Sequence, residues 1–194
     1  QMTAYAFEKV VMDTSLRIAI KEEQFVVYYQ PQIDVKTEKI IGMEALVRWR
    51  HPTLGLVPPG KFIPLAEESG LIIDIDKQVR RDAMKQFALW YKEGLNPGKL
   101  SVNLAMKQLN EKDFLIQLSN IMEELGFNSD WLELEVTEGQ VMNNPELSIE
   151  KLKTIHAKGI DLAIDDFGTG YSSLSYLKKL PLTKLKIDQS FVRD

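Results

Sequence analysis

Acidic and amide side chains recur in four segments that have the composition of buried strands, near the carboxyl end of each segment except for Glu44, which lies in the middle of its segment. They are Glu44 in "IGMEALVRWRH", Asn103 in "LSVNLA", Glu135 in "WLELEVTE", and the adjacent Asp165 and Asp166 in "IDLAIDDFG". Carboxylates gathered in a partly dry site repel one another unless cations neutralise them. Oxygen-only ligands suit Mg²⁺ or Mn²⁺ rather than zinc or copper. Because two hard ions sharing carboxylates commonly promote in-line phosphoester hydrolysis, we predict a two-metal hydrolytic site.

Two cationic side chains belong to the same set of predicted strands. Alternation along a strand places Glu44, Leu46 and Arg48 on one face, and the planar guanidinium of Arg48 suits a phosphate. Lys186, in "TKLKID", can orient a water molecule or stabilise developing negative charge. Both residues are consistent with a phosphoester substrate.

Each of these residues also has a simpler interpretation. Glu44 and Arg48 can pair inside a barrel, and Asp165 and Asp166 before "FG" can form a turn with a helix cap. Lys186 can be the Schiff-base nucleophile of an aldolase, although neighbouring carboxylates would keep it protonated. The prediction of a metal site depends on the recurrence of such residues at successive strand ends.

Two further polar residues in the strands, Glu133 and Lys184, are expected to be solvated or paired with helices. The segment "FGTG" (167–170) lacks the "GK[ST]" ending of a P-loop. We interpret it as a flexible, regulatory connection beside the metal site.

Strands and helices alternate along most of the chain. Predicted strands cover 24–34, 40–51, 99–105, 131–138, 160–168 and 183–188. Predicted helices cover 4–23, 61–69, 74–93, 107–125, 145–158 and 171–180, with a loop at 51–60. This alternation predicts an α/β fold with a parallel sheet, for which a (β/α)8 TIM-type barrel is favoured over an open sheet. With six strands in 194 residues, we expect the last two strand–helix units of that barrel to be missing.

Composition excludes several classes of protein. A net charge of −4 argues against a broad surface for DNA or anionic membranes. The absence of cysteine excludes a disulfide framework and a cysteine-based zinc site. No apolar segment is long enough to span a membrane and no signal peptide is evident. We expect a cytoplasmic domain taken from a longer protein, which can itself be membrane-anchored.

Five motifs in order resemble those of the EAL-domain family, bacterial cyclic-di-GMP phosphodiesterases. They are "EAL" (44–46) within "GMEALVRWRHP", "SVNLA" (101–105), "ELEVTE" (133–138), "DDFGTGYSSL" (165–174) and "KLKIDQSFV" (184–192). The likeness runs from about residue 15 to the end of the chain. It implies a barrel whose first strand is antiparallel to the others, and hydrolysis of cyclic-di-GMP to linear pGpG.

The resemblance also implies roles for individual residues. Mg²⁺ or Mn²⁺ would be bound by Glu44, Asn103, Glu135, Asp165 and Asp166. Catalysis would use Glu44, Asp166 and Lys186, of which Lys186 helps to position the attacking water. Substrate would be held by Arg48, Gln30 and Leu46, and Glu138 would brace the "DDFGTGYSSL" loop, which couples the site to dimerisation.

The resemblance further implies a homodimer and a domain division. Residues 1–23 would be a linker helix from an upstream GGDEF-type or sensory domain, and residues 24–194 the barrel. The family's "EGVE"-like and "QGY"-like motifs do not occur in this chain. Three accounts of this difference are a truncated sequence, strands supplied by another chain, and an incomplete inactive fragment, of which we favour the first. The alternative functions are a non-catalytic cyclic-di-GMP receptor or scaffold and an inactive fragment.

Overall fold

The computed structural model describes residues 2–168 and 174–191 of the chain. The chain forms two compact units. The first comprises Gln1–Gln30 and Ala45–Ala83, and the second comprises Pro31–Glu44 and Met84–Asp194.

One mostly parallel sheet carries the strands. They are β1 (Phe25–Ile33), β2 (Ile40–His51), β3 (Gly55–Val57), β4 (Lys99–Asn103), β5 (Leu132–Thr137), β6 (Asp161–Phe167) and β7 (Lys184–Ile187). Their order is β1-β2-β4-β5-β6-β7, and β3 pairs antiparallel with β2. The pairs β4–β5, β5–β6 and β6–β7 are parallel. The predicted α/β fold with six main strands is confirmed.

Helices connect most of the strands. They are α1 (Met2–Lys21), α2 (Pro59–Ser69), α3 (Ile72–Lys92), α4 (Met106–Leu109), α5 (Phe114–Leu125), α6 (Glu138–Met142), α7 (Pro145–His156) and α8 (Leu174–Leu177). Short 3-10 helices occupy Ser129–Trp131 and Gln189–Phe191. No helix in the described part of the chain has the length and apolar character needed to cross a membrane.

Several element boundaries differ from the prediction. The expected helix over 107–125 is two helices, α4 and α5, separated by residues 110–113. The expected loop at 51–60 contains β3, and α6 was not predicted. Part of the helix predicted at 171–180 lies outside the described residues, and α8 ends at Leu177. Thr137 explains α6, because its side chain accepts a hydrogen bond from Gln140 N in a capping box.

Three buried aromatic side chains pack against one another in the core of the first unit. The indole of Trp49 is fully buried and its ring centroid lies 5.9 Å from that of Phe25 and 5.8 Å from that of Phe62. Its Nε1 donates a hydrogen bond to Gln24 Oε1 at 3.0 Å, which satisfies the buried polar atom. Leu16 and Ala19 of α1 belong to the same core. The assignment of residues 1–23 as a linker stays a prediction.

The sheet of the second unit is curled. Its central strand, β5, is buried on both faces from Leu132 to Val136, as in a parallel sheet that is covered on both sides. On β7, Lys184 Nζ donates to Gln32 Oε1 of β1 at 2.9 Å, although β1 and β7 stand at opposite ends of the strand order. Side chains from both ends of the sheet therefore meet on one face, as in a partial TIM-type barrel.

Candidate metal centre

Three carboxylates from three strands converge in the second unit. Glu44 lies on β2, Glu135 on β5 and Asp165 on β6, and each offers an oxygen that is within 4.8 Å of the others. Glu135 and Asp165 lie in the carboxyl-terminal halves of the parallel strands β5 and β6, whereas Glu44 lies in the first half of β2. The cluster is an acidic site that could hold a metal ion.

Lys186 of β7 lies among these carboxylates. Its Nζ donates to Glu135 Oε2 at 2.6 Å, to Glu44 Oε2 at 3.0 Å and to Asp165 Oδ2 at 3.1 Å. Burial by itself lowers the pKa of Lys186, but the charges of Glu135, Glu44 and Asp165 outweigh burial and raise that pKa above its ordinary value. A protonated ammonium is a poor nucleophile, which disfavours the aldolase alternative.

Glu135 is the most buried member of the cluster, with 1% of the residue exposed. Burial raises the pKa of its carboxyl to about 7; the Lys186 ammonium opposes this rise, and the charges of Glu44 and Asp165 add to it. Its Oε1 atom accepts no hydrogen bond from any residue that the structure describes. A buried oxygen without a donor costs free energy, and a hard cation would satisfy it. The donor set therefore fits a divalent metal ion.

A β-bulge shapes the end of β6. Ala163 pairs with Lys184 and Ile164 with Leu185, but the next partners are Phe167 and Ile187. Two residues, Asp165 and Asp166, thus stand opposite the single residue Lys186, and Asp166 has a φ of 54°. Bulges commonly redirect side chains beside active sites.

Asp166 lies next to the cluster and is exposed. Burial, followed by the charges of Asp165 and Asp188, raises the pKa of its carboxyl, while Lys186 opposes the rise. Its backbone N donates to Asp165 Oδ1 at 2.9 Å, which helps to orient that ligand candidate.

Asn103 ends β4 and pairs in register with Glu135 of β5. Its side chain is exposed, and the backbone N of the following Leu104 donates to Glu135 O at 2.8 Å. The pairing brings Asn103 beside the cluster. Its role as a ligand stays a prediction.

Glu138 connects β5 to the segment after β6. It is buried, and its Oε2 accepts a hydrogen bond from Gly168 N at 2.7 Å. Gly168 belongs to the "DDFGTGYSSL" segment (165–174) that Glu138 is predicted to brace, and residues 169–173 of that segment lie outside the described part of the chain.

The predicted substrate residues Gln30, Leu46 and Arg48 belong to the first unit. Arg48 Nη1 donates to Val47 O at 2.8 Å, and the guanidinium carbon lies 5.6 Å from the ring centroid of Tyr28. Gln30 is exposed, while Leu46 and Arg48 are partly buried. Their substrate roles stay predictions.

A second polar cluster in the same unit as the carboxylates was not predicted. Glu133 is not solvated, because it is 1% exposed, and it pairs with the strand residue Lys184 rather than with a helix: Lys184 Nζ donates to Glu133 Oε1 at 2.7 Å. The side chain of Lys184 is partly exposed. Ser101 Oγ donates to the same Glu133 oxygen at 2.6 Å, and Gln32 Nε2 donates to Ser101 Oγ at 3.3 Å. The alternation of β5 could have predicted this cluster, because it places Glu133 on the same strand face as Glu135.

Comparison with known proteins identifies one family. The model of the EAL domain matches residues 13–194. The cyclic di-GMP phosphodiesterase PdeR of Escherichia coli (strain K12) is 40% identical over 194 residues, or 100% of this chain and 29% of that protein. The bifunctional diguanylate cyclase/cyclic di-GMP phosphodiesterase MucR of Pseudomonas aeruginosa is 40% identical over 193 residues, or 100% of this chain and 28% of that protein. The chain thus spans less than a third of either relative.

Solved structures give the same result. The PaMucR phosphodiesterase in complex with c-di-GMP matches with a TM-score of 0.89 and 40% identity, covering 93% of this chain and 73% of that chain. The FimX EAL domain from Pseudomonas aeruginosa bound to c-di-GMP matches with a TM-score of 0.84 and 25% identity, covering 94% of this chain and 73% of that chain.

Proposed function

The chain belongs to the EAL domain family, and from this membership we propose that the protein hydrolyses cyclic di-GMP to linear pGpG with the help of divalent metal ions. The observation that carries the proposal is the cluster of Glu44, Glu135 and Asp165, which includes a buried carboxylate oxygen without a donor among the described residues. The relatives PdeR and MucR, each 40% identical, are named cyclic di-GMP phosphodiesterases.

We assign the metal to Mg²⁺ or Mn²⁺, held at a two-ion site. The proposed ligands are Glu44, Asn103, Glu135, Asp165 and Asp166, all of which offer hard oxygen donors. Bound divalent ions would supply Lewis-acid chemistry for phosphodiester hydrolysis.

Lys186 holds the carboxylates in place in this proposal. Its ammonium contacts Glu44, Glu135 and Asp165 at 2.6–3.1 Å, so it lowers their mutual repulsion and can orient a water molecule beside them. Glu44 and Asp166 complete the proposed catalytic set.

The substrate is proposed to bind through its phosphates. The guanidinium of Arg48 presents a planar set of donors that matches two phosphate oxygens, and Gln30 and Leu46 would contact the rest of the dinucleotide. Glu138 would hold the loop after β6 through Gly168 N.

Further parts of the proposal concern the whole protein. We propose a cytoplasmic homodimer in which residues 1–23 link an upstream GGDEF or sensory domain to the barrel. MucR is named as bifunctional, with a diguanylate cyclase activity beside the phosphodiesterase.

Hydrolysis of cyclic di-GMP by the full-length protein tests the proposal. We expect pGpG to form with Mg²⁺ or Mn²⁺, and the Glu44→Gln variant to lose about 100-fold or more in kcat. Glu150→Gln, at an exposed position of α7, is the matched control and should retain activity. Binding of cyclic di-GMP without turnover would favour a receptor or scaffold. Absence of both binding and turnover would refute the enzyme and the receptor together.

A further inference from the structure

We propose that Glu133 and Lys184 are positioning residues that hold the side chains of Lys186 and Glu135 in contact with each other. The inference rests on the proposed phosphodiesterase function. Glu133 precedes Glu135 by two residues on β5, and Lys184 precedes Lys186 by two residues on β7. Each pair shares a strand face, so one lysine–carboxylate pair lies directly before the other along the same two strands.

Glu133 and Lys184 belong to a closed ring of four hydrogen bonds. Lys184 donates to Glu133 at 2.7 Å and to Gln32 at 2.9 Å, Gln32 donates to Ser101 at 3.3 Å, and Ser101 donates to Glu133 at 2.6 Å. These residues come from β7, β5, β1 and β4. The ring therefore ties together strands that are not all neighbours in the sheet, including both of its ends.

Backbone pairing does not continue regularly to Lys186. The strand β7 has four residues, and its regular register with β6 ends at the pair Ile164–Leu185, just before the bulge. The side chain of Lys184 is anchored within this regular stretch, where Lys184 pairs with Ala163. The ring thus anchors β7 two residues before Lys186, at the last regular part of the strand.

The small side chain of Ala163 makes the arrangement possible. It is fully buried on β6, and it pairs in register with Glu135 on one side and Lys184 on the other. Because β6 lies between β5 and β7, both lysines must cross it to reach the carboxylates of β5. A residue without atoms beyond Cβ leaves that space open.

The test compares Lys184→Met with a matched control, Lys99→Met, in the full-length protein. Lys99 forms an ion pair with Asp161 in the same unit, but its side chain is 40% exposed and it has no role in the proposed chemistry. We expect Lys184→Met to lower kcat by about 10- to 100-fold with little change in KM, since a small displacement of a catalytic group has that effect. Lys99→Met should retain the wild-type kcat.

A double variant separates positioning from stability. Lys184→Met alone leaves the Glu133 carboxylate buried without its cation, whereas Glu133→Gln/Lys184→Met removes that buried charge and keeps an acceptor for Ser101. We expect the double variant to recover much of the free energy of unfolding but not the lost kcat. Recovery of kcat together with stability would refute the proposal, because the ring would then be only structural.

Crystal structures of the same variants give a readout that does not depend on activity. We expect the distance from Lys186 Nζ to Glu135 Oε2 to increase by about 1 Å or more in the double variant, which folds even where the single variant does not. An unchanged distance would refute the proposal. An inactive wild-type protein would refute the proposed function, while this distance would still decide whether the ring positions Lys186.

Discussion

At the scale of single residues, the carboxyl of Glu135 is the most buried group of the acidic cluster. Its pKa of about 7 reflects first the loss of water around it, and Lys186 compensates only in part. One of its oxygens contacts Lys186 and the other has no donor among the described residues. Glu135 is therefore the ligand candidate that gains most from a bound cation.

The raised pKa of Glu135 predicts how the stability of the metal-free protein depends on pH. The folded-state pKa of about 7 exceeds the ordinary value of 4.5, so the native state retains this proton to higher pH than the unfolded state does. Stability is therefore lost as pH rises from 4.5 to 7. Relative to Glu135→Gln, we expect the wild type to lose about 1–3 kcal/mol of unfolding free energy across this window.

Urea unfolding of both proteins in EDTA at pH 5, 6, 7 and 8 measures this difference. The Glu150→Gln variant should follow the wild-type curve at every pH, because its carboxyl is exposed on α7. Parallel curves for the wild type and Glu135→Gln would contradict the assignment of the raised pKa.

The hard oxygen ligands predict a preference among metal ions. Mg²⁺ requires close to octahedral geometry at about 2.1 Å, whereas Ca²⁺ accepts more ligands at longer and more variable distances. We expect Ca²⁺ to support hydrolysis of cyclic di-GMP at least about tenfold less well than Mg²⁺, because looser coordination displaces the reacting water. Steady-state rates with each ion at saturation test this, and comparable rates would count against it.

At the scale of elements, the bulge in β6 and the alternation in β5 bring the polar side chains together. Alternation places Glu133 and Glu135 on one face of β5, and the bulge sets Asp165 and Asp166 opposite Lys186. The backbone of β5 and β6 thus places the candidate metal ligands next to the ring of hydrogen bonds that contains Glu133 and Lys184.

Gly98 illustrates how tightly one connection is built. It has a φ of +76°, and a Cβ atom at this position would lie 2.1 Å from Ile41 O. We expect Gly98→Ala to destabilise the protein by at least about 2 kcal/mol more than Gly94→Ala, because it adds a backbone clash to the strain of a positive φ. Gly94 has a φ of +82° and a Cβ atom added there would meet nothing within 4 Å, so it controls for strain alone.

Chemical denaturation of the two glycine variants gives the comparison directly. Equal losses of stability in Gly98→Ala and Gly94→Ala would show that the backbone near Ile41 moves aside at no cost.

At the scale of the whole molecule, the strands in the sheet of the second unit differ in how deeply they are buried. The strand β5 lies between two partners and is buried from Leu132 to Val136. In β7, by contrast, Leu185 is 48% exposed and Ile187 is 65% exposed, and β6 is its only partner among the described strands. Local opening should therefore be easiest at β7.

Amide hydrogen exchange tests whether β7 opens more easily than β5. We expect the amides of β5 to exchange most slowly in the second unit and those of β7 to exchange at least about 100-fold faster, because opening β7 exposes little additional apolar surface. Protection of β7 equal to that of β5 would indicate that another segment or chain covers this edge in solution.

The positions of most strands followed from the sequence because their hydrophobic patterns are local. The alternation of "WLELEVTE" located β5, and the same pattern already implied that Glu133 shares the face of Glu135. The division of 107–125 into α4 and α5 was missed, although residues 110–113 are all polar and Asp113, at the N-cap position of α5, is a residue type that favours a helix start. The helix α6 was missed because a short helix depends on its cap at Thr137 rather than on periodicity.

The sequence by itself determined the α/β fold and the family and supplied the candidate oxygen donors, since these depend on residue type and spacing along the chain. The tertiary structure decided which donors meet: Lys186 contacts three carboxylates, and Lys184 joins Glu133 and Gln32 in a ring that the local pattern did not predict. Side-chain contacts between distant segments depend on the curl of the sheet and on the register of its strands. Both are set by long-range packing and by a bulge that no short segment of sequence specifies.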